Sequence, residues 1–106
     1  MKGGRLSDFE ELVLLAVRAL GDETYGVPVQ EHLERVTGRP VSMGPVYAAL
    51  DRLDQHGLVR STLGASTPEQ GGKRKRLFSV TPQGMRTLQH ARTVRERLWR
   101  AIEGSR

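Results

Sequence analysis

The sequence contains no cysteine among its 106 residues, which excludes disulfide bridges, thiolate metal sites and a cysteine nucleophile. It also lacks a long apolar run. The run at residues 12–17 is far shorter than the roughly 20 residues that a membrane-spanning helix requires. The N-terminus shows no signal-peptide organisation. These absences predict a cytoplasmic protein that does not use a membrane as a partner.

Acidic residues are scarce in the second half of the chain. Residues 60–106 hold eleven Lys/Arg and three Asp/Glu, for a net charge of +8, whereas residues 1–59 hold six and nine, for −3. A polyanionic partner would therefore meet mainly the second half.

The length predicts one compact unit. Within it we expect a DNA-binding part at residues 1–81 and a C-terminal dimerisation helix at residues 82–106.

No pattern of catalytic or metal-binding residues is present in the sequence. His32, His56 and His90 are far apart, and none has a carboxylate at a spacing typical of a metal site or a catalytic triad. The glycines at 71–72 and Lys73 lack the rest of a phosphate-binding nucleotide loop. We therefore expect no catalytic site, no metal and no cofactor, and a protein that is not an enzyme.

The first helix is predicted at residues 7–20. Ser7 with Glu10 three residues later is a capping-box pattern. Leu14 and Leu15 extend the apolar character around the helix beyond one face, which indicates burial on a second side, and we expect that side to meet another subunit. The main apolar face consists of Phe9, Leu12, Val13, Ala16, Val17 and Leu20.

Two further helices are predicted at residues 24–37 and 42–57, joined by a short link. In the first of them Val29, Leu33 and Val36 are expected to face the core. In the second, Ser42 is expected to cap the N-terminus through its hydroxyl, and Gly57 to stop the helix. Its predicted inner face is Val46, Ala49, Leu50 and Leu53, and its outer face is Ala48, Asp51, Arg52 and Gln55, with Tyr47 on the flank.

A β-hairpin is predicted after the third helix, with strands at 58–63 and 74–80 around a loop at 64–73. The whole pattern predicts a mainly α fold with a small β-hairpin: a winged helix-turn-helix with three N-terminal helices, a two-stranded wing and a long C-terminal helix. The run Lys73-Arg74-Lys75-Arg76 lies at the hairpin. Such a run can be a solvated loop or a localisation signal, but its position favours contact with DNA phosphates.

Three segments resemble the PadR family of bacterial transcriptional regulators. They are 9–17 with the Tyr25-Gly26 pair following, 42–53, and 71–84. The resemblance implies a dimer that binds operator DNA, usually as a repressor. The chain departs from many members in its short C-terminal region and in Asp51, which would repel phosphate. The resemblance and the outer face of the third helix together predict DNA contacts by Tyr25, Ser42, Met43, Gly44, Pro45, Tyr47, Ala48, Arg52, Lys73, Arg74, Lys75 and Arg76.

The last helix is predicted at residues 82–103, with apolar residues at three- and four-residue spacing that form a seam for another helix. We expect it to pack on the partner's first helix around Leu14 and Leu15. Some members of the resembled family bind planar aromatic ligands between paired tryptophans, so Trp99 is either an effector platform or part of the dimer packing. The predicted dimerisation residues are Leu14, Leu15, Leu88, Val94, Leu98 and Ile102.

The leading hypothesis is a homodimeric regulator that binds double-stranded DNA sequence-specifically. In this hypothesis it represses from a palindromic operator and is released by a small aromatic effector. The alternative is a protein-interaction adaptor that uses a winged-helix domain without reading DNA. The acidic first half and Asp51 favour the alternative. The helix-turn-helix order followed by a basic hairpin favours the regulator.

Overall fold

The computed structural model describes residues 6–66 and 74–104. Their order of three helices, two strands and one long helix confirms the predicted fold class. The elements are α1 (Asp8–Leu20), α2 (Gly26–Thr37), α3 (Met43–Gln55), β1 (Val59–Ser66), β2 (Arg74–Val80) and α4 (Pro82–Glu103). None of the described helices is long and apolar enough to cross a bilayer.

The start of α1 is set by the capping box that the sequence predicts. The Ser7 hydroxyl accepts a hydrogen bond from the Glu10 amide at 3.1 Å, and the Glu10 carboxylate accepts one from the Ser7 amide at 3.0 Å. Two amides that the helix itself cannot pair are thereby satisfied. The helix therefore begins at Asp8, with Ser7 as its N-cap.

Two side chains of α2 hold the link to α3. The Gln30 amide nitrogen donates to the Val41 carbonyl at 2.8 Å, and the Val41 amide donates to the Glu34 carboxylate at 2.9 Å. The prediction that Val36 faces the core is wrong, because its side chain is 69% exposed. Residues 35–40 are all exposed, so the last turn of α2 extends beyond the core that Val29 and Leu33 reach.

Helix α3, the candidate recognition helix, buries the four residues predicted for its inner face: Val46, Ala49, Leu50 and Leu53. Ser42 is the N-cap residue, but its side chain makes no capping hydrogen bond, so that detail of the prediction is wrong. The helix also ends two residues earlier than predicted. Gly57 adopts a left-handed φ of +74°, and the Leu58 amide then donates to the Leu53 carbonyl at 2.9 Å. This closes the helix and directs the chain into β1.

The two strands form an antiparallel hairpin whose register runs from Val59 opposite Val80 to Leu63 opposite Arg76. β1 continues to Ser66, beyond the predicted end at 63, because pairing resumes after an irregularity between Leu63 and Ser66. Thr24 bridges Phe78 through two backbone hydrogen bonds of 3.0 and 2.7 Å. The connection between α1 and α2 therefore fastens the base of the hairpin.

The core lies around α1, which contacts α2, α3, β2 and α4. Because α1 is central, it buries neighbouring residues on more than one side, including Leu14 with no exposed surface. Leu88 is 7% exposed and lies in the same core. The assignment of Leu14 and Leu88 to a dimer surface is therefore wrong: one protomer already buries both.

The long helix α4 leaves the core partway along its length. Its start is capped by Thr81, whose hydroxyl accepts from the Gly84 amide at 3.0 Å and donates to the Gly57 carbonyl at 2.7 Å. Gly84 and Leu88 are buried, whereas every residue from Arg92 to Gly104 is exposed. The second half of α4 thus extends from the domain, consistent with overall dimensions of 60 × 31 × 21 Å.

Candidate nucleic-acid interface

The outer face of α3 is accessible and uncharged in its first two turns. Gly44, Pro45, Tyr47 and Ala48 are exposed, as is the N-cap Ser42, and Met43 is half-buried. Small and neutral side chains allow a helix to approach the base edges of a major groove closely. Because the opposite face is buried in the core, this is the face that α3 can offer to a partner.

Tyr47 lies against the first residue of α2. A Cβ atom placed on Gly26 would be 2.6 Å from Cε1 of the Tyr47 ring, so only glycine leaves room for the ring in this position. Tyr47 remains 49% exposed. The spacing pattern of the sequence did not show this contact, and only the family resemblance singled out Gly26 by pairing it with Tyr25.

Strand β2 places a cation over the ring of Tyr25, the residue before Gly26. Nζ of Lys75 lies 4.1 Å from the centroid of the Tyr25 ring, a cation–π arrangement. Tyr25 precedes Gly26, so the α2 N-terminus brings Tyr25, Tyr47 and Lys75 into one region. Lys73 lies outside the described residues, as does the side chain of Arg74.

The charged residues in the last turns of α3 are paired within the chain. Nε of Arg52 lies 2.6 Å from the Glu10 carboxylate of α1. Arg76 donates to Asp51 and, at 2.9 Å, to Asp54. The hydrogen bond to Asp51, opposed by partial burial and helped by Asp54, raises the pKa of Arg76. Two predicted DNA contacts, Arg52 and Arg76, therefore already have carboxylate partners.

A second exposed surface follows the outer half of α4 and the adjoining side of α1. Of the predicted dimerisation residues, Leu98 and Ile102 are each 63% exposed, and Leu15 and Val94 are also exposed. Trp99 is 63% exposed as well. The sequence did not assign Leu12 to this surface, yet it is 41% exposed. These residues are large and apolar, which is unusual for a surface that meets only water.

An ion-pair cluster connects the two helices of this surface. The Arg95 guanidinium lies 2.9 Å from Glu11 and 3.4 Å from Asp8, both in the first turn of α1. The hydrogen bond to Glu11 raises the pKa of Arg95. The cluster therefore joins the outer half of α4 to the N-terminal turn of α1.

Comparison with known families decides the family of the chain. The sequence profile described as "Transcriptional regulator PadR-like family" matches residues 13–90. The chain belongs to the PadR-like family of transcriptional regulators. The matched range includes α2, α3 and both strands of the hairpin, so the resemblance noted in the sequence is confirmed. Comparison with curated proteins finds no match.

Solved structures of PadR-like proteins share this fold. A PadR-like regulator from Bacillus cereus is 22% identical, with a TM-score of 0.70 over 90% of this chain and 87% of that chain. A PadR-like transcription factor from Bacteroides fragilis is 19% identical, with a TM-score of 0.76 over 90% and 86%. PadR of Bacillus subtilis, solved in complex with operator DNA, is 15% identical, with a TM-score of 0.66 over 78% of this chain and 45% of that chain.

Proposed function

We propose that this PadR-like protein is a homodimeric, sequence-specific DNA-binding repressor that places α3 in the major groove of a palindromic operator. The observation that carries the proposal is the neutral, exposed N-terminal half of α3, whose Tyr47 lies against Gly26, the residue after Tyr25, on which Lys75 packs. Such a face suits direct contact with base edges, and the neighbouring cation suits the phosphate backbone. The operator complex of the Bacillus subtilis protein supports this use of the fold.

The exposed apolar half of α4 supports the homodimer. Leu98, Trp99 and Ile102 are each 63% exposed and lie within two turns of one another. A second copy that covers them would remove large apolar surfaces from water. Two α3 helices related by a two-fold axis would then reach half-sites about 34–36 Å apart, one turn of DNA.

The adaptor alternative loses its main support in the structure. It drew on Asp51, whose carboxylate would repel the DNA backbone. Arg76 forms an ion pair with that carboxylate in the folded chain, which weakens its repulsion of the DNA backbone. The acidic residues Glu10 and Glu11 are likewise paired, with Arg52 and Arg95.

The proposal is tested by selecting duplexes from a randomised pool with the wild-type protein. The selected duplex and a scrambled duplex of equal length are then compared in mobility-shift titrations over a salt series. We expect a palindromic consensus and at least a thousandfold preference for it, the lower end for specific DNA-binding proteins. An unenriched pool, or equal affinity for both duplexes, would reject the proposal.

Neutralising the first three residues of the basic run is expected to weaken binding to all DNA sequences alike. Each phosphate contact contributes about 0.9 to the slope of log K against log salt, so the variant Lys73→Gln/Arg74→Gln/Lys75→Gln should flatten the slope by up to about 2.7. The ratio of affinities for selected and scrambled duplexes should stay constant. The measurement is the same titration at several salt concentrations.

A matched control removes three positive charges from α4 instead. Arg86, Arg97 and Arg100 are exposed, and among the described residues no ion pair of theirs is found. Their replacement by glutamine changes the net charge equally but should leave the slope nearly unchanged. An equal decrease in both variants would mean that net charge alone, rather than the wing, governs the affinity.

We also propose that Trp99 contributes to an effector site for a planar aromatic molecule between paired α4 helices. Trp99 is the single tryptophan of the chain, so intrinsic fluorescence reports on it alone. Dimer formation should shift its emission to shorter wavelength as protein concentration rises. Titration with planar aromatic compounds should then quench it and release the selected duplex. A blue shift on dimerisation without quenching by any ligand would assign Trp99 to dimer packing.

A further inference from the structure

Arg76 joins the wing to the recognition helix through two carboxylates. Its Nη1 donates to Asp51 Oδ1 and its Nη2 donates to Asp54 Oδ2 at 2.9 Å. Asp51 and Asp54 are three residues apart on α3 and so lie on the same side of the helix. The planar guanidinium can bridge two acceptors at once, which a lysine ammonium cannot do with the same geometry.

The opposite strand of the hairpin contributes to the same cluster. The Ser61 hydroxyl of β1 donates to Asp54 Oδ2 at 3.0 Å. Asp54 therefore accepts hydrogen bonds from both strands, through Ser61 and Arg76. The Arg76 guanidinium also lies 4.9 Å from the centroid of the Phe78 ring, whose side chain is buried. Arg76 thus contacts the core through Phe78 and α3 through Asp51 and Asp54.

The hairpin needs such a tether because it has only two strands. A two-stranded hairpin is marginal by itself, and contacts with the rest of the protein determine its orientation. Val59 and Phe78 anchor its base in the core. Arg76 is paired with Leu63 further towards the tip, so its bonds to α3 constrain the part of the wing beyond that anchor.

The charges at the cluster argue against a primary role of Arg76 as a phosphate contact. One guanidinium faces two carboxylates, so the local net charge is already −1. Moving Arg76 to a DNA phosphate would leave Asp51 and Asp54 uncovered beside the polyanion. The move would gain one attraction, between Arg76 and the phosphate, and would leave two carboxylates that repel the DNA.

We propose that Arg76 is a positioning residue that fixes the wing to α3 by bridging Asp51 and Asp54, and so sets the angle at which the wing and the recognition helix meet DNA together. The proposal rests on the proposed DNA-binding function only for its second test. The bridge is present in the free protein, and the first test needs no DNA.

The first test is hydrogen exchange of the amides of β1 and β2 in the free protein. Arg76→Gln, Arg76→Lys and Asp51→Asn/Asp54→Asn should each speed exchange in the outer hairpin about three- to tenfold, because each breaks the same bridge. The combination Arg76→Gln/Asp51→Asn/Asp54→Asn should exchange no faster than Arg76→Gln alone. Unchanged exchange in Arg76→Gln would overturn the proposal.

A control variant separates the bridge from the loss of a wing charge. Arg60 is exposed on β1 of the same hairpin and has no ion pair within the described ranges 6–66 and 74–104. Arg60→Gln removes the same charge and should leave exchange unchanged. Faster exchange in Arg60→Gln, equal to that in Arg76→Gln, would show that charge alone stabilises the hairpin and would overturn the proposal.

The second test uses the selected and scrambled duplexes. Arg76→Lys and Asp51→Asn/Asp54→Asn should each reduce the preference for the selected duplex about three- to tenfold. A phosphate contact predicts the opposite: Arg76→Lys keeps the preference, and Asp51→Asn/Asp54→Asn strengthens binding to both duplexes equally. That result, or a full loss of preference in Asp51→Asn alone with unchanged exchange, would overturn the proposal. A pool without any preferred duplex would instead reject the proposed function and leave the exchange test to decide on the bridge.

Discussion

Replacing Leu98 and Ile102 with glutamate is expected to make the protein monomeric and to abolish binding to the selected duplex. Both side chains are 63% exposed in one protomer, on the half of α4 that extends from the domain. Full burial of a leucine or isoleucine contributes about 1.5–3 kcal/mol, and in the proposed dimer two copies of each change would act on a symmetric interface. Unpaired carboxylates at the same positions add a desolvation cost.

The expected increase in the dimer dissociation constant is at least about a thousandfold, which corresponds to about 4 kcal/mol. Sedimentation velocity over a concentration series measures it, and mobility shifts measure the loss of DNA binding. Gln89→Glu/Thr93→Glu is the matched control, because it adds two carboxylates at exposed polar positions of the same helix. A double variant at Leu98 and Ile102 that still sediments as a dimer, or a monomeric wild type, would contradict the proposed assembly.

Gly84→Ala is expected to destabilise the protein by about 1–3 kcal/mol, the usual range for overpacking. A Cβ atom at this position would be 2.2 Å from the Leu58 carbonyl oxygen and 2.8 Å from Cγ1 of Val80. The carbonyl cannot move freely, because it accepts a hydrogen bond from the Thr81 amide at 3.1 Å. The clash therefore outweighs the gain of about 1 kcal/mol that alanine brings to a helix interior.

Gly44→Ala is the control for this prediction. Gly44 lies in the first turn of α3, and a Cβ atom there would meet no other atom within 4 Å. The same substitution should therefore stabilise the protein, by up to about 1 kcal/mol. Urea unfolding at one fixed protomer concentration measures both variants, since the proposed dimerisation would make stability concentration-dependent. Equal effects at the two glycines would show that the close packing at Gly84 is not what limits substitution there.

Gly84 and Gly26 show where the local sequence pattern stops being informative. In the sequence, Gly84 is only a weak point in the first turn of a helix, because helix propensity depends on the residue itself and its near neighbours. The tertiary structure brings the Leu58 backbone against it. Gly26 is similar, since the Tyr47 ring that requires it belongs to another helix.

The paired charges of α3 were likewise beyond the sequence pattern. Asp51 and Asp54 are 25 and 22 residues from Arg76, and such pairs follow from how the hairpin packs on the helix. From the sequence Asp51 appeared as an obstacle to DNA binding and Arg76 as a phosphate contact. Their contact changes the interpretation of both.

The sequence by itself determined the order of the elements, the capping box of Ser7 and Glu10, the buried face of α3 and the bounds of β2 and α4. These features depend on residues within about one helical turn or along one strand, so periodicity and capping rules predict them. Only the tertiary structure decided that Leu14 and Leu88 are core residues, that Val36 is exposed, and which charges pair. Those outcomes depend on which elements surround a residue, and helical spacing alone does not specify the neighbours of a helix.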